Sequence, residues 1–220
     1  MTTPDQSPNP NDGRSEQVRT QHVTARVPEN VGCGAFSTGV IIMTGNTEFI
    51  LDFIQNIGGP AQIVARVVMP HGTLPQFSEA LRKNLDMYTQ RFGPPPELPK
   101  SPPPAKPQKA QDIYDELKLP DQLLSGAYAN GVMIGHTASE FKLDFLTNLF
   151  PHSAVSCRVY LSSPQIPRLL ESLESTFKQF QQRVIQQQQQ PQPQPQQPPP
   201  PNQGLIPPST DSSNDEDEKG

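Results

Sequence analysis

Two carboxylates and an arginine recur at the same spacing in two parts of the chain, as Glu48, Asp52 and Arg66 and as Glu140, Asp144 and Arg158. Side chains of a β-strand alternate between its two faces, so each pair of carboxylates falls opposite the phenylalanines around it, and the arginine joins them from a neighbouring strand. This polar face is either a pocket that binds a ligand or docks a partner, or a cross-strand ion pair that fixes the register. The ion pair is favoured, because acid–base chemistry also needs a cleft that separates the carboxyl pKa values.

The other chemically active residue types form no known catalytic or metal-binding pattern. The four histidines lie in different elements without metal-ligand spacing: His22, His71, His136 and His152. Cys33 lies in a glycine-rich turn, and Cys157 takes the place of Ala65 on an apolar strand face, which predicts a small core residue. There is no nucleophile elbow and no phosphate-binding loop. We therefore predict that the chain is not an enzyme, with no catalytic residue, no metal and no cofactor.

A tandem duplication positions these residues. When each position is aligned with the one 92 residues later, 23–92 and 115–184 share 19 identities over 70 positions without a gap. Glu48-Phe49-Ile50-Leu51-Asp52-Phe53 aligns with Glu140-Phe141-Lys142-Leu143-Asp144-Phe145. Repetition at a fixed offset indicates two copies of one folding unit.

Each copy has the pattern of four strands and a helix. A short alternating stretch (Val23, Ala25 and Val27, or Ile113, Leu117 and Leu119) is predicted as the first strand. Strands are predicted over about 38–44, 47–54 and 61–69, and over 130–136, 139–146 and 153–161. An apolar stripe at steps of three and four then predicts an amphipathic helix, with Ser163-Pro164 as its start in the second copy. The expected class is α+β: two β-β-β-β-α modules, each an antiparallel sheet with one covering helix, packed together as a pseudo-dimer.

Composition sets the boundaries of the modules. Most of the 28 prolines lie in the first 12 residues, between 94 and 107, and after 190. We predict a disordered leader over 1–18, module 1 over 19–92, a proline-rich linker over 93–112 and module 2 over 113–185. The remainder, 186–220, is predicted to be a disordered tail rich in Gln and Pro, with a glutamine run and an acidic end.

Charge and hydropathy narrow the partners and the location. Five acidic residues and one lysine after residue 210 account for four of the five net negative charges, so the modules are close to neutral. A nucleic-acid-binding surface would need a basic patch, and none is expected. No signal peptide and no membrane span are expected, which makes the cytoplasm the predicted location.

The second copy resembles a known family. Ser139-Glu140-Phe141-Lys142-Leu143-Asp144-Phe145, and then Arg158-Val159-Tyr160-Leu161-Ser162-Ser163-Pro164 leading into a helix, are similar to domain of unknown function 3467. The first copy departs from this pattern at Phe36-Ser37-Thr38 and at Pro70-His71-Gly72. The resemblance implies two tandem copies of a module that the family usually carries once, and it implies no reaction.

These observations favour a non-catalytic protein-interaction or oligomerisation module, with a protein partner or self-association between its two modules. One alternative is a holdase, because four strands followed by a long helix is similar to the element order of SecB-type export chaperones. The other alternative is a small-ligand binder or an enzyme that uses the Glu/Asp/Arg face.

Overall fold

The computed structural model describes residues 25–99, 110–149 and 151–189. The predicted leader, the centre of the predicted linker and the predicted tail after Gln189 lie outside the described residues. Within them, each copy folds into four strands followed by a long helix, so the predicted α+β class with two β-β-β-β-α units is confirmed.

The two modules contain equivalent elements. Module 1 consists of α1 (Glu29–Gly32), β1 (Ala35–Ser37), β2 (Gly39–Thr44), β3 (Glu48–Gln55), β4 (Gln62–Pro70) and α2 (Thr73–Phe92). Module 2 consists of α3 (Ala110–Glu116), β5 (Ala127–Tyr128), β6 (Gly131–His136), β7 (Glu140–Leu149), β8 (His152–Ser162) and α4 (Ile166–Gln189), with 3-10 turns at Asp121–Leu123 and Ser163–Gln165.

The modules exchange their first strands. One sheet has the order β1-β8-β7-β6 and the other β2-β3-β4-β5. In each sheet, three antiparallel strands of one module are joined by a parallel strand of the other, because β1 pairs with β8 and β5 pairs with β4. Only Thr38 separates β1 from β2, which is too short a connection to reverse the chain into a hairpin. β1 therefore continues onto the sheet of module 2, and β5 lies in the same way on the sheet of module 1.

The exchange extends beyond the strands themselves. Arg26 forms a parallel bridge with Ala154, and Lys118 forms the equivalent bridge with Gln62. We call residues 26–37 and 118–129 the exchanged segments. Each exchanged segment is paired with the other module's sheet and then runs directly into β2 or β6, the edge strand of its own module's sheet. Open strand edges favour aggregation, and the exchanged strands cover part of the outer edges of β8 and β4.

The first strands lie elsewhere than predicted. They were expected around residues 23–27 and 113–119, whereas β1 and β5 begin at Ala35 and Ala127, and α3 occupies Ala110–Glu116. Their parallel pairing also differs from the predicted all-antiparallel sheets. The longer strands, β2 to β4 and β6 to β8, lie within about two or three residues of their predicted bounds.

Both modules contribute to one hydrophobic core. Phe49, Leu51 and Phe53 on β3 are fully buried on one strand face, and their counterparts on β7 are fully buried as well. Helix α2 packs on β6, and helix α4 packs on β2, so each helix crosses onto the other module's sheet. Burial of this size supplies the main stabilising free energy, and neither module provides it alone.

A pseudo-two-fold axis relates the modules. Equivalent residues meet across it: the rings of Phe53 and Phe145 lie 5.6 Å apart. Where the long helices cross, Arg82 forms an ion pair with Glu174, which again occupies the equivalent position. The duplication has thus placed opposite charges where two identical modules would place like charges.

Candidate functional site

The predicted polar face contains a buried ion pair in module 1. Asp52 and Arg66 are directly opposed on β3 and β4. Arg66 Nε donates to Asp52 Oδ1 over 2.7 Å, and Nη2 donates to Oδ2 over 2.8 Å. Asp52 is fully buried, and 12% of the Arg66 side chain is exposed. This two-pronged geometry is the strongest form of a charge-assisted hydrogen bond.

Module 2 repeats the pair with nearly identical geometry. Asp144 and Arg158 are opposed on β7 and β8. Arg158 Nε lies 2.6 Å from Asp144 Oδ1, and Nη2 lies 2.9 Å from Oδ2. The hydrogen bonds to the carboxylate raise the pKa of each arginine above its ordinary value. Both guanidinium groups therefore stay charged at every accessible pH.

The third guanidinium nitrogen of each arginine holds an exchanged segment. Arg66 Nη1 donates to the carbonyl oxygen of Leu124 over 3.2 Å, and Arg158 Nη1 donates to that of Gly32 over 3.0 Å. Leu124 and Gly32 are 92 residues apart, so the two contacts are equivalent. Each Asp–Arg pair is a clamp that fixes the other module's segment onto its own sheet.

Close packing of the segment against the arginine requires glycine. Gly34 and Gly126 have φ angles of 66° and 68°. A Cβ atom on Gly34 would lie 2.7 Å from Arg158 Cγ, and one on Gly126 would lie 2.9 Å from Arg66 Cγ. Both the left-handed backbone and the lack of space exclude a side chain here.

The two clamps differ in their additional contacts. In module 1 the Tyr114 hydroxyl donates to Asp52 Oδ2, and burial together with this hydrogen bond raises the tyrosine's pKa. In module 2 the Lys142 ammonium lies 3.3 Å from Asp144 Oδ2 instead. The copies have therefore diverged in how the buried carboxylate is satisfied.

The glutamates of the predicted polar face lie apart from the clamps. Glu48 and Glu140 begin β3 and β7 and bond to threonines of the preceding turns. Thr137 Oγ1 donates to Glu140 Oε2 over 2.8 Å, and Thr47 Oγ1, from a different position of the repeat, donates to Glu48 Oε2. In each module the aspartate and the arginine of the predicted trio form the clamp, and the glutamate bonds to a threonine of the turn instead.

Two grooves follow the exchanged segments. Groove A, of about 710 Å³, is lined by Cys33 and Phe36 of module 1 and by His136, Glu140, Lys142 and Tyr160 of module 2. Groove B, of about 530 Å³, is its counterpart and is lined by Ser125 and Tyr128 of module 2 and by Glu48, Ile50, Arg66 and Val68 of module 1. Glu48 and Glu140 thus reach a ligand-accessible surface, although the buried aspartates do not.

A third cavity, of about 400 Å³, lies on the pseudo-two-fold axis. Apart from Cys33, its lining consists of pairs at the offset of 92: Asn30/Gln122, Val31/Leu123, Gly34/Gly126, Ala35/Ala127, Val64/Ser156, Ala65/Cys157 and Arg66/Arg158. Both arginines line it, but their nitrogens are already bound in the clamps. The cavity therefore offers no free cationic group from these two side chains.

Two of the four histidines pack against aromatic rings. His71 packs against Phe49 and Phe180, and His136 packs against Phe141 and Tyr88. Burial lowers the pKa of His136, with a contribution from the charge of Arg91. Among the described residues, no three histidine, cysteine or acidic side chains lie close enough to hold a metal ion. His22 lies outside the described residues, and His152 begins β8.

A family model confirms the resemblance found in the sequence. The model described as protein of unknown function (DUF3467) matches the chain twice, at residues 4–95 and 99–186. The chain belongs to this family. Both matches contain one complete Asp–Arg clamp and one exchanged segment, so the exchange relates two copies of the same family domain. No curated protein matches the chain.

Within residues 25–99, 110–149 and 151–189, no helix is both long enough and apolar enough to cross a membrane.

Sequence reasoning missed the residues that the clamps hold. The arginines bind backbone carbonyl groups of Gly32 and Leu124, and a carbonyl has no side-chain signature. It also missed the exposed aromatic side chains of Phe36 and Tyr128. The available signal was the glycine at the same place in both copies, because Gly34 and Gly126 mark where the chain approaches the arginine.

Proposed function

We propose that the chain is a non-catalytic protein-binding scaffold that presents grooves A and B to a polypeptide partner. The observation that carries this proposal is a pair of exposed aromatic side chains, Phe36 (39% exposed) and Tyr128 (45% exposed), at equivalent places on the rims of the grooves. Aromatic side chains are enriched at protein interfaces, where they supply most of the binding energy from a few positions.

The use of the Asp–Arg groups supports a scaffold over an enzyme. Asp52 and Asp144 are buried and accept hydrogen bonds on both oxygens. A general base needs a free lone pair directed at the substrate, and a buried carboxylate in a two-pronged pair offers none. The two Asp–Arg pairs thus hold the two modules together and leave no carboxylate oxygen free for a substrate.

The grooves have the character of two different docking sites. Lys142, Glu140 and Tyr160 give groove A charged and hydrogen-bonding groups. In groove B, Ile50 and Val68 occupy the positions of Lys142 and Tyr160, so the two grooves present different side chains at equivalent places. A partner with one segment for each groove would bind with higher overall affinity, because the second segment binds intramolecularly once the first is bound.

A holdase of the SecB type is the second candidate. Ile57, in the turn after β3, and Leu149, the last residue of β7, are 62% and 58% exposed at equivalent positions of the repeat. Exposed apolar side chains could bind the apolar segments of an unfolded client protein weakly. This version predicts that the full chain suppresses aggregation of a chemically unfolded client at near-equimolar concentration, and unchanged aggregation would remove it.

A ligand binder or an enzyme on the Glu/Asp/Arg face is the third candidate. It would have to use Glu48 or Glu140 in the grooves, since the aspartates are enclosed. Binding of a small molecule that is lost in Glu140→Gln and kept in Asp52→Asn would favour it. The cytoplasmic location stays a prediction from the sequence.

The decisive experiment compares two matched double variants of the full chain in affinity capture from a native lysate. Phe36→Ser/Tyr128→Ser, the groove variant, removes the groove aromatics. Ile57→Ser/Leu149→Ser, the turn variant, removes apolar side chains that are more exposed but lie outside both grooves. We expect a partner that binds the wild type and the turn variant, and that binds the groove variant at least tenfold more weakly. A partner retained by the groove variant, or no specific partner at all, would contradict the proposal.

A further inference from the structure

Groove B contains a row of uncharged side chains that crosses three strands on the outer face of the module 1 sheet. Tyr128 of β5 is opposite Val68 of β4, and Val68 is opposite Ile50 of β3. All three line the groove together with Leu124, and Tyr128 and Leu124 are 45% and 54% exposed. The row therefore offers an extended ligand an apolar surface with one aromatic ring.

Helix α4 runs along β2 toward the end of this sheet where groove B lies. Arg168 and Gly39 line one small cavity, and Ser175 and Ile42 line the next one. The helix and the strand therefore run in the same direction, and α4 approaches the turn between β2 and β3.

The later turns of α4 lie beside residues that border groove B. The rings of Phe180 and His71 are 4.1 Å apart. His71 Nε2 lies 3.2 Å from the carbonyl oxygen of Glu48, and both Glu48 and Pro70 line groove B. The helix continues for nine residues beyond Phe180, or about 13 Å at about 1.5 Å per residue. The chain after Gln189 therefore starts about 13 Å beyond this end of the sheet.

The sequence after Gln189 begins with an uncharged, proline-rich stretch. Residues 190–208, which we call the proline segment, contain nine prolines and no charged residue, and four consecutive prolines occupy 198–201. Proline favours the polyproline II conformation, in which the backbone carbonyl groups form no internal hydrogen bond. Segments of this kind dock in grooves lined by aromatic side chains. Tyr128 supplies such a ring, and its hydroxyl can donate to a carbonyl group.

The length of the chain brings these four prolines to the row. The path returns from Gln189 over about 13 Å to the end of the sheet and crosses about 10 Å from the helix layer to the outer face. Val68, opposite Tyr128, is two residues from Pro70, which adds about 7 Å. About ten residues of polyproline II span these roughly 30 Å at about 3.1 Å per residue. The tenth residue after Gln189 is Pro199, inside the run of four.

Groove A fits the proline segment less well. Its equivalent row consists of Phe36, Tyr160 and Lys142, so it includes a charged side chain. Helix α4 also begins, rather than ends, beside groove A, because it follows β8 directly. The chain after Gln189 would have to return along all 24 residues of the helix, which is about 36 Å.

We propose that the proline segment docks in groove B of its own chain, with prolines 198–201 against Tyr128, and competes there with a polypeptide partner. The competition with a partner rests on the proposed scaffold function, whereas the contact within the chain does not. The tether gives the segment an effective concentration on the order of 1 mM at the groove. A dissociation constant on the order of 0.1 mM then weakens the binding of a competing ligand about tenfold.

The test titrates an unlabelled synthetic peptide of residues 190–208 into the full chain labelled with 15N and follows the backbone amide signals of groove B. The tail variant replaces prolines 198–201 by serine, and its matched control replaces Pro191, Pro193 and Pro195 by serine. We expect the peptide to bind the tail variant about tenfold more tightly than it binds the wild type or the control. Without peptide, the signals of Val68 and Tyr128 should already differ between the wild type and the tail variant.

Two further variants locate the contact. Adding Tyr128→Ser to the tail variant should abolish peptide binding, whereas adding Phe36→Ser, the equivalent change in groove A, should leave it unchanged. Equal melting temperatures of these variants establish that each of them folds.

Three results would overturn the proposal. The first is equal affinity of the peptide for the wild type and the tail variant, and the second is no binding to the tail variant. The third is a difference between these two chains that grows with protein concentration, because the segment would then occupy groove B of a second chain. No partner takes part in these titrations, so their outcome is independent of the lysate capture that tests the scaffold function.

Discussion

Replacing Asp144 by asparagine should loosen the module 2 clamp while leaving its shape intact. Asparagine is nearly isosteric with aspartate, but it carries no charge for Arg158, which donates over 2.6 and 2.9 Å. Removing one partner of a buried ion pair typically costs about 3–5 kcal/mol, because the remaining charge stays buried. Arg158 is 13% exposed, so we expect the lower end of that range, about 3 kcal/mol.

Urea unfolding of the full chain, followed by circular dichroism, measures this cost. With a denaturant slope of roughly 2 kcal/mol/M, a loss of about 3 kcal/mol lowers the midpoint by about 1.5 M. Glu140→Gln is the matched control, because it removes the same charge from an exposed side chain of the same strand and should change stability by less than about 0.5 kcal/mol. Equal midpoints for the two variants would refute the clamp.

Three further predictions concern the packing of the modules. Gly34→Ala should cost at least about 2 kcal/mol in urea unfolding, from left-handed strain and displacement of the arginine, whereas Gly59→Ala, which meets open space, should be nearly neutral. Arg82→Glu should lose about 0.5–1 kcal/mol through like-charge repulsion at this exposed crossing, and adding Glu174→Arg should recover it in a double-mutant cycle. Burial lowers the pKa of His136, so its unfolded state binds more protons below about pH 6.5. The melting temperature of the wild type should therefore fall more than that of His136→Gln between pH 7.5 and 5.5, and an equal fall would contradict the assignment.

The parts of the fold that the sequence predicts are those with a repeated local pattern. β4 alternates between buried and half-buried residues, β3 buries Phe49, Leu51 and Phe53 on one face, and the stripe of α2 repeats every three or four residues, so each of these elements carries its own signal. The ion pair of Asp52 and Arg66 was likewise predictable, because alternation along two neighbouring strands puts both on one face. These predictions need only the local geometry of a strand or a helix.

The exchange was not predictable in the same way. β1 and β5 are three and two residues long, too short for a periodic signal. Their place on the other module's sheet depends on tertiary contacts: a carbonyl bound by an arginine, a glycine without a Cβ, and a shared core. The helix α3 was missed because Ile113, Leu117 and Leu119 were interpreted as a strand, and the proline-rich composition before them extended the predicted linker to residue 112.

The central claim is that the two modules are interlocked by their exchanged segments, and cleavage of the folded chain tests it most directly. A site-specific protease sequence replaces residues 101–106 of the linker, the full chain is folded, and the linker is then cut under native conditions. The account predicts that both fragments elute together from a sizing column at the mass of the uncut chain, and that they separate only in denaturant. Fragments that separate without denaturant into two folded, independent modules would contradict it.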